Sequence, residues 1–453
     1  MSTSRAGRSG SSELLRRNGR VIPFLGDLLA FRREPLVFLT DLSRQGDAIV
    51  PIRLGWRTIY LLNDPELIRD LLHIKASNYR KNYGALRPLC GLSILLTDGG
   101  VWRDLRRTAQ PAFHAASIEK LLPDLERAAA DLVSRWRAIA RSNEPLDVCP
   151  EMLGASIGAV FRAFLGNPRG LDPYEIALDM HTALQAAGQR GFRLTALFER
   201  VPTPRQRAVR AAEARLHELP DELLSNNGGT DDTLLDQLVA ARDDPDCETF
   251  DDRQLHNEIM TYIVAGSDTM AAALSWALYL LATRPAVVEA LRDEASRVFR
   301  DTESMLEALP RLALTTRVLK ESLRLYPPAW LMSRTALRPD RIGDLSVAPE
   351  TRLVVSTYSL HRDPRFWDEP DRFDPDRFLP EREKSRPAYT FLPFGAGGRT
   401  CIGSHFALRQ GVLVLAKLAR HFDFSLPEGF RAEPETGITM KPRRLPMYVQ
   451  ARD

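Results

Sequence analysis

The chain has 453 residues, 44% hydrophobic and 27% charged, the make-up of an ordinary globular protein with enough apolar side chains for a sizeable core. Its 62 basic and 59 acidic residues nearly cancel to a net charge of +3, which excludes a global basic field for nucleic acid and leaves any charged partner to a local patch. Cys90, Cys149, Cys247 and Cys401 stand far apart with no CxxC pair, so neither a zinc site nor a disulfide framework is expected, and a reducing cytoplasm is the simplest home.

Residues 1–20 are polar and basic, lack the apolar core of a signal peptide or membrane anchor, and read as a disordered tail. Pro23 and Gly26 mark a turn, and the β-branched and aromatic run Ala48–Leu62 reads as a small hairpin. From Asp64 the apolar positions recur at helical spacing, through 64–72, 101–109, 118–140, 151–165, 173–188, 204–224, 233–242, 253–283, 286–299 and 313–325. Within them Ile259–Ala282 is long enough to cross a bilayer, but Asp268 near its middle would cost roughly 2.5–3.5 kcal/mol in lipid, so a buried helix and no membrane span is expected. After Pro327 and Pro328 come short strands near 331–337, 345–347 and 352–356, then irregular chain rich in Pro, Asp and Arg to Pro387. A last helix is expected over Ile402–Ala419, with terminal strands in the segments beginning Phe422 and Met440. Since no linker divides the chain and no βαβ rhythm occurs, residues 21–453 are expected to form a single mainly α unit with a small β region.

The segment Phe394–Gly403 is the strongest chemical signal. Gly395, Gly397 and Gly398 allow the backbone to bend tightly and approach a flat ligand, and Cys401 then sits at the mouth of the expected helix, where amide groups and the helix dipole favour a thiolate. A dinucleotide fingerprint would need a third glycine at Thr400, and a buried structural cysteine is the plain alternative. The pattern F-x-x-G-x-R-x-C-x-G, filled by Phe394, Gly397, Arg399, Cys401 and Gly403, resembles the haem-binding signature of the cytochrome P-450 superfamily. In that family a cysteine thiolate is the axial ligand of haem b iron, a role the resemblance gives to Cys401. It also implies the family fold, a long central helix over the haem and the cysteine loop beneath it.

Other segments carry the same resemblance. Glu321 and Arg324, three apart on one helix, match the family's E-x-x-R, and Arg377, in a segment where Asp376 stands for the usual Glu, is the third member of the implied buried network. An isolated pair of this kind is otherwise a surface ion pair. Trp102 and Arg106 match W-x-x-x-R, and with Arg334 and Arg399 they are the implied haem propionate partners, since a guanidinium fork suits a carboxylate. Ala265–Thr269 resembles the oxygen-activation stretch: the small pair Ala265 and Gly266 would open room above a metal, and Asp268 with Thr269 would donate protons, against the alternative of a solvent-facing Asp. Met270 stands where Thr or Ser is usual, and the Leu360–Pro364 run LHRDP matches as well.

The resemblance implies an oxidoreductase, a soluble cytoplasmic monooxygenase that takes O2 and two electrons and hydroxylates or epoxidises a mainly apolar molecule of terpenoid, fatty acyl, steroid or polyketide class. Lacking flavin, nicotinamide or iron–sulfur motifs of its own, the chain would draw electrons from a ferredoxin or flavodoxin with its reductase. A haem-thiolate isomerase, dehydratase or peroxygenase is the alternative enzyme, and a haem sensor the alternative outside enzymes. The resemblance makes 78–100 and 173–222 the pocket's lid and walls, with Leu86, Leu89, Leu92, Ile94, Met180, Leu184, Phe192, Leu194 and Leu197 as apolar candidates.

Overall fold

The computed structural model describes residues 26–142, 144–166, 170–190, 203–226, 233–245, 247 and 249–452, of which helix is by far the larger part. The tail 1–20, Pro23, Phe192, Leu194 and Leu197 lie outside the described residues. Gly26 opens a helix, Gly26–Arg33, where a turn was expected. The chain folds into two compact units, each assembled from three stretches of sequence.

The smaller unit comprises the N-terminal part to Asn82 together with 329–372 and 384–400. Its five-stranded sheet runs in the order Ile49–Leu54, Arg57–Leu62, Arg352–Ser356, Leu331–Ala336 and Tyr79–Lys81. The expected hairpin is present, Ile49 pairing with Leu62 and Leu54 with Arg57, and the only parallel pairing in this sheet joins its second strand to Arg352–Ser356. The core beneath the sheet gathers Leu62, Ile68, Leu71, Leu72, Met332 and Leu353. Asp64 starts the following helix by accepting from the amides of Glu66 and Leu67, the expected use of a short acid at an N-cap. That helix ends at Arg69 and continues as a wider π turn, Asp70–Ile74.

The larger unit holds 83–328, 373–383 and the chain from Cys401 onward. Its axis is the 31-residue helix Asp252–Ala282, begun by Asp251, whose carboxylate accepts from Gln254 N. The most apolar 18-residue window of this helix is 78% buried, so its apolar surface is spent on protein core rather than lipid. Val148–Phe164 packs along it, and at the crossing a Cβ on Gly266 would stand 2.9 Å from Val160 Cγ2. Gly266 therefore serves the close packing of these two helices. Trp276 stacks on Tyr326 at 3.9 Å and donates its indole N–H to Met440 O, tying the helix to the C-terminal hairpin Pro434–Thr436 and Met440–Pro442.

Two further boundaries differ from expectation. The run 118–140 is two helices, Ala115–Lys120 and Leu122–Ala140, because Pro123 occupies the first turn of the second and cannot continue the first. The last helix is Ser404–His421, so Ile402 and Gly403 separate it from Cys401. Phe422–Ser425 and Pro446–Ala451 pair as the expected terminal strands.

Candidate active site

In the smaller unit, the approach to the cysteine loop is fixed from both sides. His361, fully buried, accepts the Leu392 amide on Nε2 at 2.8 Å, so its proton is on Nδ1 and the LHRDP segment anchors the start of the loop. Gly397 has φ +70, and a Cβ there would collide with the Leu72 carbonyl, so glycine is required both for conformation and for close approach. Thr400 closes the turn, its amide and hydroxyl donating to Gly397 O at 3.0 and 2.7 Å. Arg399 lies in this one-turn helix, Phe394 just before it and half-buried, and Arg334 is buried on the sheet with Nη1 donating to Ser333 O at 3.0 Å.

In the larger unit, Cys401 is exposed, whereas Cys90 is buried and Cys149 and Cys247 are intermediate. Burial pushes the Cys90 thiol up to about 12 and raises Cys149 as well, which leaves both as inert thiols packed in protein. Trp102 and Arg106 lie on Gly99–Ala109, both half-buried, while Arg103 and Arg107 are exposed. Arg106 Nε donates to Gln110 Oε1 at 2.6 Å. Burial holds its guanidinium below the ordinary arginine value, and Tyr262 and Cys401 act on it electrostatically in the opposite sense. Arg106 and Cys401, 295 positions apart in sequence, thus share one electrostatic neighbourhood.

The central helix is buried over Thr261–Val264 and again from Met270, but Ala265 and Thr269, one turn apart, are exposed. Thr269 Oγ1 donates back to Ala265 O at 2.9 Å. Asp268 turns the other way. It is 3% exposed, accepts from Thr439 Oγ1 at 2.6 Å and lies 3.4 Å from Lys441 Nζ, so the solvent-facing reading of this acid is excluded. Nothing in the local sequence could have named Thr439 and Lys441, which stand 171 and 173 residues away.

A second buried acid on the same helix was also missed. Glu258 is 1% exposed and accepts on Oε1 from Ile94 N at 2.8 Å and from Gln254 Nε2 at 2.9 Å, while Gln254 also donates to Leu92 O. These bonds hold the segment after Cys90 against the helix; Leu86, Leu89, Ile94, Met180 and Leu184 are buried and Leu92 is exposed. Burial raises the Glu258 carboxyl to about 7, against the hydrogen bonds it accepts.

Glu321 and Arg324 lie on Ala313–Leu325 with both side chains fully buried, joined by two hydrogen bonds of 2.7 and 2.8 Å. The Glu321 carboxylate also accepts from Asp374 N at 2.8 Å and stands 3.6 Å from Arg377 Nε. The surface reading of this pair is thereby excluded. Asp376 faces Arg317 at 3.4 Å and takes no part in it.

These residues suit a haem. In the larger unit an exposed thiol shares its electrostatic field with a half-buried guanidinium, and in the smaller unit the cysteine loop needs glycine at 397; thiol and guanidinium are donors for a soft metal and for carboxylates. The family model Cytochrome P450 matches residues 17–447. The chain is 35% identical to cyclooctatin synthase of Streptomyces melanosporofaciens, covering 94% of this chain and 93% of that protein. It is 32% identical to cyclooctat-9-en-7-ol 5-monooxygenase of the same organism, over 92% and 90%, and 29% identical to pentalenene oxygenase of Streptomyces avermitilis, over 95% and 96%. A match along nearly the whole chain makes this haem b monooxygenase a member of the cytochrome P450 family.

Proposed function

We propose that the chain inserts one oxygen atom from O2 into a terpenoid-class substrate, a hydrocarbon or an alcohol derived from one. The observation that carries the oxygen chemistry is the two-sided central helix, with Thr269 on the exposed strip and Asp268 paired behind it. The names of the relatives support the substrate class, two of them being oxygenases of a cyclic alkenol and of pentalenene.

Haem, when bound, supplies the iron at which O2 is activated by two electrons and two protons. The chain's own residues supply the rest. Cys401 Sγ would hold the iron as a thiolate and would donate electron density to it. Trp102 and Arg106 of the larger unit, and Arg334 and Arg399 of the smaller, would hold the propionates, and Phe394 would line the group. Thr269 already spends its proton on Ala265 O, so its lone pairs are what it offers to a water, which makes it the holder of a proton donor rather than the source. Asp268 takes protons from the far side of the helix and passes them on. Met270 is buried and contributes packing at the position next to this pair. Electrons come from a separate ferredoxin or flavodoxin in the cytoplasm.

The test uses the purified holoenzyme with terpenoid hydrocarbons and alcohols, reading displacement of the iron-bound water from the absorption spectrum. At least one should be converted to a product carrying one oxygen from labelled O2. Thr269→Ala and Asp268→Asn should keep haem and substrate binding but lose product per electron pair and release peroxide. Unchanged coupling in both variants would remove these residues from the mechanism, and product formed without electrons would remove the monooxygenase reading of the substrate.

A further inference from the structure

Glu258 is buried on the central helix, and its two donors are both neutral. Oε1 accepts from Ile94 N and Gln254 Nε2 at 2.8 and 2.9 Å, while Oε2 is buried with no partner among the described residues. The titratable groups that share its field are Tyr262, one turn along the helix, and Cys90, both kept neutral by burial. The charged groups nearby are engaged elsewhere. Arg106 of Gly99–Ala109 acts on Tyr262, His256 faces Asp221 of Pro204–Ser225 at 2.9 Å, and His217 Nε2 lies 2.9 Å from Pro88 O. The segment that Glu258 holds crosses the helix closely. Gln254 Nε2 also donates to Leu92 O at 3.0 Å, and Gly91, at φ +55, passes so near Asn257 that a Cβ there would collide with its side chain. Gln254, Asn257 and Glu258, three and four apart, thus meet Leu92, Gly91 and Ile94 from one side of the helix. Tyr262, Ala265 and Thr269 continue the stripe of Glu258 at helical spacing, and of these Ala265 and Thr269 are exposed. Gly91–Ile94 therefore lies across one end of a stripe whose other end carries Thr269.

We propose that Glu258, with Gln254, is a positioning residue that clamps Gly91–Ile94 across the central helix as a strap, and that ionisation of Glu258 releases the strap and uncovers the helix face leading to Ala265 and Thr269. The uncovering matters for turnover only through the reading of the Thr269 strip as the place of the oxygen chemistry, on which that part of the proposal rests. The physical reason is desolvation. A buried carboxyl between neutral donors is stable as the acid, whereas its anion, with no cation beside it, is strongly unfavourable until water reaches it. The step is the loss of one carboxyl proton to solvent, and no other covalent bond changes.

The experiment follows hydrogen exchange of the 91–98 backbone in the holoenzyme at about pH 6 and about pH 8, corrected for the intrinsic pH dependence of exchange. Burial holds the Glu258 carboxyl up at about 7, and an open strap returns it towards 4.5, so the clamp is fully present below the ordinary carboxylate value and weakens as pH rises. Protection in the parent should fall about 10-fold between the two conditions. Glu258→Gln keeps an acceptor for Ile94 N and cannot ionise, so its strap should stay shut at both. Glu258→Ala should be open at both, and these opposite shifts are what a merely structural role would not produce. If Glu258→Ala does not fold, Gln254→Leu, which removes the donor to Leu92 O, takes its place with the same expectation. A second readout is the bimolecular recombination of carbon monoxide, neutral at either pH, with the ferrous holoenzyme after flash photolysis. It should be faster at the higher pH in the parent and insensitive to pH in Glu258→Gln. Parent protection that is equal at the two pH values, or a Glu258→Gln strap as pH-sensitive as the parent's, overturns the clamp. Recombination that ignores pH beside pH-dependent exchange overturns the uncovering of the helix face. Thr269→Ala separates the two levels. Parent-like coupling in that variant fails the oxygen reading and leaves the exchange result standing, whereas an uncoupled Thr269→Ala beside pH-independent exchange in the parent sinks the strap alone.

Discussion

At the scale of single residues, Cys401 and Glu258 show how environment decides what an ionisable group does. Cys401 is the exposed one of four cysteines, at the end of a loop that glycine alone can form. Thiolate ligation predicts a strongly red-shifted Soret band for the reduced carbon monoxide complex, and Cys401→Ser should lose it; a variant that kept the band would place the ligand elsewhere. Glu258 gives a pH prediction whose sign follows from linkage. Its folded-state pKa of about 7 lies above the ordinary carboxylate range, so between pH 4.5 and 7 the folded state holds a proton that the unfolded state has lost. Stability therefore falls as pH rises through that window, by about 3 kcal/mol if the shift is fully expressed. Glu258→Gln keeps an acceptor for Ile94 N and cannot ionise, so denaturant melts of this variant should lose that slope, while a slope equal to the parent's would assign it to another group.

At the scale of elements, the network on Ala313–Leu325 is an interlocked joint rather than a surface pair. Glu321 serves Arg324, Arg377 and the Asp374 amide at once, and Arg324 has no exposure through which water could take over. Glu321→Gln should cost about 3–5 kcal/mol in denaturant melts, because it leaves the Arg324 charge buried without its counter-charge. Glu321→Gln/Arg324→Met should cost less than the single change, since it removes the stranded charge as well; additive losses would show that the pair is not coupled. The E-x-x-R spacing made the pairing legible, because residues three apart share a helix face. It left open whether that face looked inward. The same limit applied to the central helix, whose length and apolar character were plain in sequence, while of its two polar neighbours Asp268 proved buried and Thr269 exposed.

At the scale of the whole molecule, the net charge of +3 leaves electron transfer to a local patch, and Arg103 and Arg107 project outward from the helix that turns Arg106 inward. Arg107 is tied to Asp104 at 2.6 Å, so among the described residues Arg103 offers the less compensated charge. Arg103→Glu should slow reduction by an acidic ferredoxin or flavodoxin more than Arg107→Glu does, most strongly at low salt, since exposed charges are screened over about 8–10 Å at ordinary ionic strength. Dithionite reduction should not change, and equal partner rates for parent and variants at low salt would move the docking face. By itself the sequence determined the helical rhythm, the small sheets, the glycine-bounded cysteine loop and the family, because periodicity and short motifs are local properties of the chain. Only the tertiary structure decided that Gly266 is an interhelical contact with Val160, that Ile402 and Gly403 precede the last helix, and that Asp268 answers to Thr439 and Lys441. Each of these depends on which face of an element meets a segment remote in sequence, and packing of the assembled chain is what selects that face.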